Sequence, residues 1–142
     1  MQDRMIELFG PPISTYTRAQ AIADGVLVDV SELRQPNPFK YPVAMTQAAF
    51  AATVEAGGTW EANGEGQTLK LPNGQDVPGR LHDVFWMLQS HLDRNGPGER
   101  VDFSVLVDVH GIGRHTKVDL YAVCGPGDDG EPVITIMLPG ED

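Results

Sequence analysis

The clearest pattern of apolar positions lies between residues 80 and 94. Leu81, Val84, Phe85, Leu88 and Leu92 recur at i, i+3, i+4, i+7 and i+11. Residues with this spacing share one face of a helix. The glycine- and proline-containing run at 95–98 ends the pattern. The sequence therefore predicts an amphipathic helix over residues 80–94.

A different period governs the C-terminal half of the chain. Every second residue from Val101 to Val109 is apolar, as in a strand with one buried face. Two more strand-like runs, residues 116–124 and 133–138, follow glycine-rich connections. Three consecutive strands joined in this way indicate an antiparallel meander, and we expect the amphipathic helix to cover its apolar face.

Shorter elements are predicted in the N-terminal half. A helix through residues 19–22 has candidate N-caps at residues 14–17 and ends before Gly25. Residues 26–30 are mostly β-branched and indicate a short, largely buried strand. Residues 47–56 favour a second helix, which Thr46 caps.

Two segments rich in proline or glycine interrupt these elements. The three prolines within residues 34–42 predict an extended surface connection, and residues 57–79 predict either a small hairpin or a loop. No repeat or linker divides the chain. We therefore predict one α+β domain spanning residues 1–142, in which a C-terminal antiparallel β-meander packs against an amphipathic helix and shorter N-terminal helices.

Composition narrows the classes of partner. Twenty acidic and ten basic residues give a formal net charge of −10, which disfavours direct binding to nucleic acid or an anionic membrane. The same charge would attract a basic protein surface, although it also serves solubility. No apolar run is long enough to span a membrane, residues 1–9 lack the apolar core of a signal peptide, and Cys124 is the only cysteine. We expect a cytoplasmic protein with an inert strand thiol.

Two groups of residues suggest metal ligands. His110 and His115 flank a short connection, where a hairpin would place them nearly opposite each other. Asp128, Asp129 and Glu131 lie in a glycine-rich loop, but their spacing is not that of an EF-hand. Ordinary polar turns explain both groups, so we expect no metal.

The sequence contains no convincing catalytic or cofactor motif. His82 and Asp83 are adjacent in the predicted helix and do not face each other, and Ser90 lacks a nucleophile-elbow motif. The glycines at 111 and 113 lack the rest of a phosphate-binding motif, so no cofactor is expected. Trp86, beside Phe85, is expected in the core, as tryptophan usually is.

Several long segments resemble one family. Residues 16–30, 39–44 and 79–87, and the C-terminal stretch GPGDDGEPVITIMLPGED, are similar to those of an uncharacterised bacterial domain family carried on plasmids, prophages and integrative elements. Residues 57–78 depart from the family's pattern. The resemblance implies a mobile genetic element and brings no catalytic residues with it.

These observations favour an acidic protein-interaction module of a mobile element. Its partner would be a basic protein surface in a nucleic-acid-handling defence complex. By binding there, the protein would inhibit the complex as an anti-CRISPR or anti-restriction protein does. Trp60, in a polar stretch, is either an exposed binding anchor or the cap of a local cluster. The expected acidic contacts are Asp102, Asp108, Asp119, Asp128, Asp129 and Glu131.

Two alternatives stay open. Residues 16–18 followed by 24–27 are loosely similar to the opening of small ADP-ribosyltransferases, in which a polar strand residue and a helix hold the nicotinamide dinucleotide. Glu131 would then be the late catalytic glutamate. A regulatory subunit without a counter-defence role is the other alternative, and the sequence leaves the oligomeric state open.

Overall fold

A computed structural model describes residues 16–34, 37–96 and 98–141 of the chain. Its helices are α1 (Arg18–Ala23), α2 (Gln47–Thr53) and α3 (Val77–Asn95), with a 3-10 turn at Pro72–Gly74. Its strands are β1 (Leu27–Asp29), β2 (Val43–Thr46), β3 (Thr59–Asn63), β4 (Gly66–Lys70), β5 (Arg100–Val107), β6 (Thr116–Pro126) and β7 (Pro132–Met137). No helix in the described ranges combines the length and apolar character that a membrane crossing requires.

Five strands form the main sheet, in the order β1-β2-β7-β6-β5. The predicted antiparallel meander is confirmed as β5-β6-β7. β2 adds a parallel pairing to β7, and β1 pairs antiparallel with β2 at the far edge. The fold is therefore α+β as predicted, but with a mixed sheet instead of a simple meander.

Helices α2 and α3 contribute to one apolar core against the sheet. The inward-facing residues of β5, from Val101 to Val107, alternate with exposed or half-buried ones, and they belong to the same buried cluster as Phe85 and Leu88 of α3. Phe50 of α2 joins this cluster. The predicted apolar stripe of α3 is thus confirmed, and its burial against the sheet contributes to the hydrophobic stabilisation of the fold.

Helix α1 is held to the sheet by polar contacts. The Arg18 guanidinium donates to the Thr135 hydroxyl (2.7 Å) and the Ile134 carbonyl (2.9 Å). Thr17 is the N-cap, and Gln20 completes a capping box with it. The carboxylate of Asp128 accepts the backbone N–H groups of residues 18 and 19, so the β6-β7 turn also supports this helix.

Two helix boundaries and one whole strand differ most from the sequence prediction. Helix α3 begins at Val77, because Asp76 accepts the N–H of Gly79 and Pro78 fits a first turn, where its missing N–H costs nothing. Helix α2 ends at Thr53, three residues early. Strand β2 was not predicted, since Val43, Ala44 and Met45 are all buried and show no alternation.

The expectation that Trp86 is a core residue is wrong. Its side chain is 61% exposed, because it is offset by about 100° from Phe85 around the helix and so lies outside the apolar stripe. Its ring stacks on that of His82, with the ring centroids 6.1 Å apart.

One buried cation joins segments that are distant in sequence. Arg80 is only 5% exposed, and burial lowers the pKa of its guanidinium. Its Nε donates to the Gln75 side chain at 3.0 Å, and the remaining donors contact four backbone carbonyls. Those carbonyls belong to Thr53, Val54, Ala56 and Asp108.

These contacts tie the end of α2, the start of α3 and the end of β5 together. The carbonyls at the end of α2 lack intrahelical partners, and a cation there also complements the helix dipole. Arg80 thus gives this end of α2 a buried cap.

We predict that Arg80→Met destabilises the protein by about 3 to 5 kcal/mol, because several buried carbonyls lose their donor. Urea unfolding measures the change. Arg94→Met, an exposed change on the same helix, should alter stability by no more than about 0.5 kcal/mol. Equal effects of the two substitutions would contradict the assigned role of Arg80.

Candidate functional site

A two-stranded hairpin projects from the main sheet. β3 and β4 pair only with each other, from Thr59↔Lys70 to Asn63↔Gly66. All five residues of β3 and four of the five in β4 are exposed. We call residues 59–70 the hairpin arm. The structure thereby decides between the hairpin and the loop that the sequence allowed.

Two glycines fix the base of the arm. Gly57 has a left-handed φ of +75° and lies directly against the backbone carbonyl of Val109, where a Cβ atom would have no room. A Cβ on Gly58 would lie 2.8 Å from methyl groups of Leu69 and Leu71. The chain entering the arm is therefore packed closely against the β5-β6 connection.

The chain leaving the arm is attached to the same connection. Asn73 donates its side-chain amide to the Gly111 carbonyl (3.0 Å), and Gln75 donates to the Asp108 carbonyl (2.9 Å). Asn73 has a φ of 53°, which asparagine tolerates better than most residues. We call the arm, the 3-10 turn and residues 108–115 together the hairpin end.

The hairpin end presents two exposed apolar side chains. Trp60 is 48% exposed, and its indole Nε1 donates to the Glu55 carboxylate at 3.2 Å. It pairs across the hairpin with Leu69. Ile112, in the β5-β6 connection, is 66% exposed. The hydrogen bond restrains the Trp60 ring, which lowers the entropy cost of using it in a contact.

Asp108 orders the connection that carries Ile112. Its two carboxylate oxygens accept the backbone N–H groups of Ile112 (3.0 Å) and Gly113 (2.9 Å). Hydrogen bonding, chiefly from Gly113, lowers the pKa of the Asp108 carboxyl. Of the predicted acidic contacts, Asp108 is placed at the hairpin end with Trp60, but its carboxylate is engaged within the loop.

Asp102 and Asp119 lie on the sheet face opposite α3, near cationic or hydroxyl partners. Asp119 accepts from the Ser104 hydroxyl at 2.7 Å, and Lys117 Nζ is 3.7 Å away. The hydrogen bond from Ser104, then the charge of Lys117, lowers the pKa of the Asp119 carboxyl. Asp102 is 3.2 Å from the Arg100 guanidinium. This pair of acids therefore has local counter-charges on the sheet.

The remaining three acids lie in the β6-β7 turn. Asp128 binds the N-terminus of α1, as described above, and Glu131 accepts the backbone N–H of Asp129 at 3.0 Å. The six predicted acidic contacts thus occupy three separate places in the fold. The structure does not gather them into one surface.

The predicted opposition of His110 and His115 is wrong. Strand pairing stops at Val107↔Thr116, so both histidines lie in the connection beyond it. His115 instead borders a polar cavity of about 70 Å³ beside Arg80 and Asp108. That is less than half of the roughly 150 Å³ of a cavity that takes up a six-carbon ligand. Among the residues that the structure describes, no group of three or more His, Cys, Asp or Glu side chains could hold a metal.

The residues cited for an ADP-ribosyltransferase occupy other kinds of position. Arg18 opens helix α1, whereas that comparison assigns the polar residue to a strand. Its guanidinium is bound to β7, and Glu131 is bound to its own turn. The side chains of Arg18 and Glu131 therefore both make hydrogen bonds within the fold.

Sequence reasoning missed Asn73 and Ile112 of the hairpin end. It also missed Gln75 and Arg80, which donate hydrogen bonds to the Asp108 carbonyl there. The pair Gly57-Gly58 and the spacing from Asp108 to Gly113 were the available signals. Neither signal reveals that Asn73, Gln75 and Arg80 contact this connection, because those hydrogen bonds join residues 28 to 38 positions apart.

Comparison with known protein families gives a match over most of the chain. The model of a family of unknown function, DUF6573, matches residues 9–142. No curated protein and no solved structure matches the chain.

We predict that Gly57→Ala destabilises the protein more than Gly25→Ala does. Both glycines have φ near +80°, so both substitutions carry a left-handed strain of about 1 to 2 kcal/mol. A Cβ at Gly25 meets nothing within 4 Å, whereas one at Gly57 meets the Val109 carbonyl. Chemical denaturation should show at least about 1 kcal/mol more destabilisation at Gly57. Equal losses of stability would contradict the close contact between Gly57 and the Val109 carbonyl.

Acid stability should depend on Asp108. Because folding lowers its pKa below the ordinary value of 3.8, its contribution is present above about pH 4 and is lost as the pH falls through the folded pKa. We predict that Asp108→Asn reduces stability at neutral pH and makes the decline below pH 4 shallower. Urea unfolding at a series of pH values tests this, and parallel profiles for the two proteins would contradict it.

Proposed function

This chain belongs to the family of unknown function DUF6573, and we propose that it is a protein-interaction module that binds its partner through the hairpin end. The observation that carries the proposal is an exposed tryptophan, hydrogen-bonded to Glu55, on an arm whose base is attached to the β5-β6 connection. Large aromatic side chains presented in this way are frequent energetic anchors of protein interfaces.

The arm contributes little to the stability of the body that carries it. Among the described residues, the hydrophobic core and the apolar side chains packed against it include none of residues 59–70. The base of the arm is nevertheless fixed by Gly57, Asn73 and Gln75. A segment that is anchored but buries no core side chain is well suited to contact another molecule.

Charge favours a basic partner. Glu55, Glu61 and Glu65 lie in or beside the arm, and Lys70 is its single cation. The chain as a whole carries a net charge of −10. An acidic surface of this kind steers association with basic proteins and makes it sensitive to salt, and it repels nucleic acid itself.

We extend the proposal to a cellular role. The resemblance of residues 16–30, 39–44, 79–87 and 125–142 supports a protein carried on a plasmid, prophage or integrative element. A basic nucleic-acid-handling defence complex in the bacterial cytoplasm is then the proposed partner, and an anti-CRISPR or anti-restriction effect the proposed outcome. Competition between acidic side chains and phosphate groups for the same Lys and Arg residues would supply the mechanism.

The test compares two exposed tryptophans. Tagged wild type, Trp60→Ala and Trp86→Ala are used to capture partners from a defence-proficient bacterial lysate at low and moderate salt, and bound proteins are identified by mass spectrometry. We predict that Trp60→Ala weakens capture at least about tenfold, as loss of an interface anchor does. Trp86→Ala should leave capture unchanged, because Trp86 lies on α3, outside the hairpin end.

Charge-reversal variants test the acidic residues of the arm. Glu61→Lys with Glu65→Lys should weaken binding and reduce its salt dependence, while Asp129→Lys in the β6-β7 turn should not. Equal losses for Trp60→Ala and Trp86→Ala, or for the two charge reversals, would remove the hairpin end from the interface. Failure to capture a nucleic-acid-handling protein would remove the proposed defence role.

A further inference from the structure

An apolar groove lies at the end of the molecule away from the arm. Its volume is about 230 Å³, and it opens between the last turns of α3 and the start of β5. Leu88 and Leu92 form one wall, Val101, Ala122 and Ile134 form the floor, and residues 39–41 form the other side. The groove shares no residue with the hairpin end. The proposal for either site can therefore be wrong without affecting the proposal for the other.

The shape of the groove follows from small side chains on β6. Ala122 pairs with Val101 on β5 and with Ile136 on β7, and Cys124 pairs with Ile134. These positions face α3, as Leu120 does two residues earlier. Leu120 fills its space and is 1% exposed, whereas alanine and cysteine are too short to reach the helix. The groove begins where the side chains become small.

Packing and a hydrogen bond hold the segment that forms one side of the groove. The ring of Phe39 meets that of Phe85 edge to face, with the centroids 5.4 Å apart. Asn37 donates its side-chain amide to the Tyr41 carbonyl at 3.0 Å, which closes the turn that carries residues 39–41. The groove therefore exists without a rearrangement of the fold.

The size of the groove limits its occupant. An apolar cavity of roughly 150 Å³ takes up a molecule of six carbons, so 230 Å³ corresponds in proportion to roughly nine carbons. A medium-length alkyl chain fits this volume, while a nucleotide or a folded peptide does not.

A lysine is among the residues that line the groove. Lys40 is the one charged side chain among the described residues that line the groove. It is exposed, and its Nζ lies 6.0 Å from the centroid of the Tyr41 ring. In a chain with twenty acidic residues and ten basic ones, a groove lined by a cation and no acid favours an anionic ligand.

We propose that this groove binds a medium-chain carboxylate, with the alkyl chain against Leu88, Leu92 and Ala122 and the carboxylate beside Lys40. Burial of the chain supplies most of the affinity, because each buried methylene contributes favourably. Lys40 supplies the preference for a carboxylate over a neutral or cationic head group.

Cys124 provides a direct reporter of occupancy. It lines the groove, its side chain is exposed, and it is the only cysteine in the chain. The rate at which the full-length protein is alkylated by iodoacetamide is therefore measured with octanoate, 1-octanol or octylammonium present. We predict that octanoate slows alkylation at concentrations where octylammonium does not, with 1-octanol intermediate.

Two matched variants locate the head group. Lys40→Met should weaken the protection of Cys124 by octanoate about threefold to fivefold, the scale of one partly exposed ion pair. Protection by 1-octanol should not change. Lys70→Met, on the arm, should change neither. Equal protection by all three compounds, or equal effects of the two lysine substitutions, would overturn recognition of the carboxylate.

A third variant tests the groove itself. Ala122→Leu fills the floor and should abolish protection by octanoate. Far-ultraviolet circular dichroism of each variant checks its fold, and methyl chemical shifts of Leu88 and Leu92 in the wild type report octanoate binding without any substitution. No protection of Cys124 and no methyl shift at millimolar octanoate would overturn the site.

Discussion

The buried guanidinium of Arg80 is the interaction on which the hairpin end depends. An arginine inside a protein must find acceptors for a rigid set of donors, and here backbone carbonyls and one side-chain amide supply them. The carbonyls come from the end of α2 and the end of β5. Satisfying one cation therefore brings together the chain on both sides of the arm and the connection that carries Ile112.

The acidity of this chain serves two physical purposes. Asp108 and Asp128 each accept two backbone N–H groups, one pair in the β5-β6 connection and the other at the start of α1. Their carboxylates thus replace hydrogen bonds that turns and helix ends would otherwise lack. Glu61 and Glu65 lie on the projecting arm, where their charge is presented to solvent. Net charge alone does not separate these two uses.

Two surfaces of different chemistry lie at opposite ends of β5. The hairpin end follows Val107 and combines an exposed tryptophan with acidic neighbours, which suits a protein partner. The groove begins beside Val101 and combines an apolar floor with a lysine, which suits a small amphipathic anion. The two surfaces share no residue, so the two proposed activities are structurally separable.

The sequence alone determined the elements whose signals are local. The apolar stripe of α3, the alternation in β5 and the Thr46 cap all depend on neighbours within a few residues, and the structure confirms them. Among the candidate caps at residues 14–17, the structure shows Thr17 as the N-cap of α1. The α+β class follows from those elements. The resemblance to a bacterial domain family also rests on contiguous segments of the sequence.

The tertiary structure alone decided where the side chains meet. The parallel pairing of β2 with β7, the exposure of Trp86 and the separation of six carboxylates into three places all result from contacts between distant segments. Arg80 illustrates the reason. Its acceptors at residues 53–56 and 108 lie more than twenty positions away, and no periodicity along the chain encodes which carbonyls a buried donor will reach.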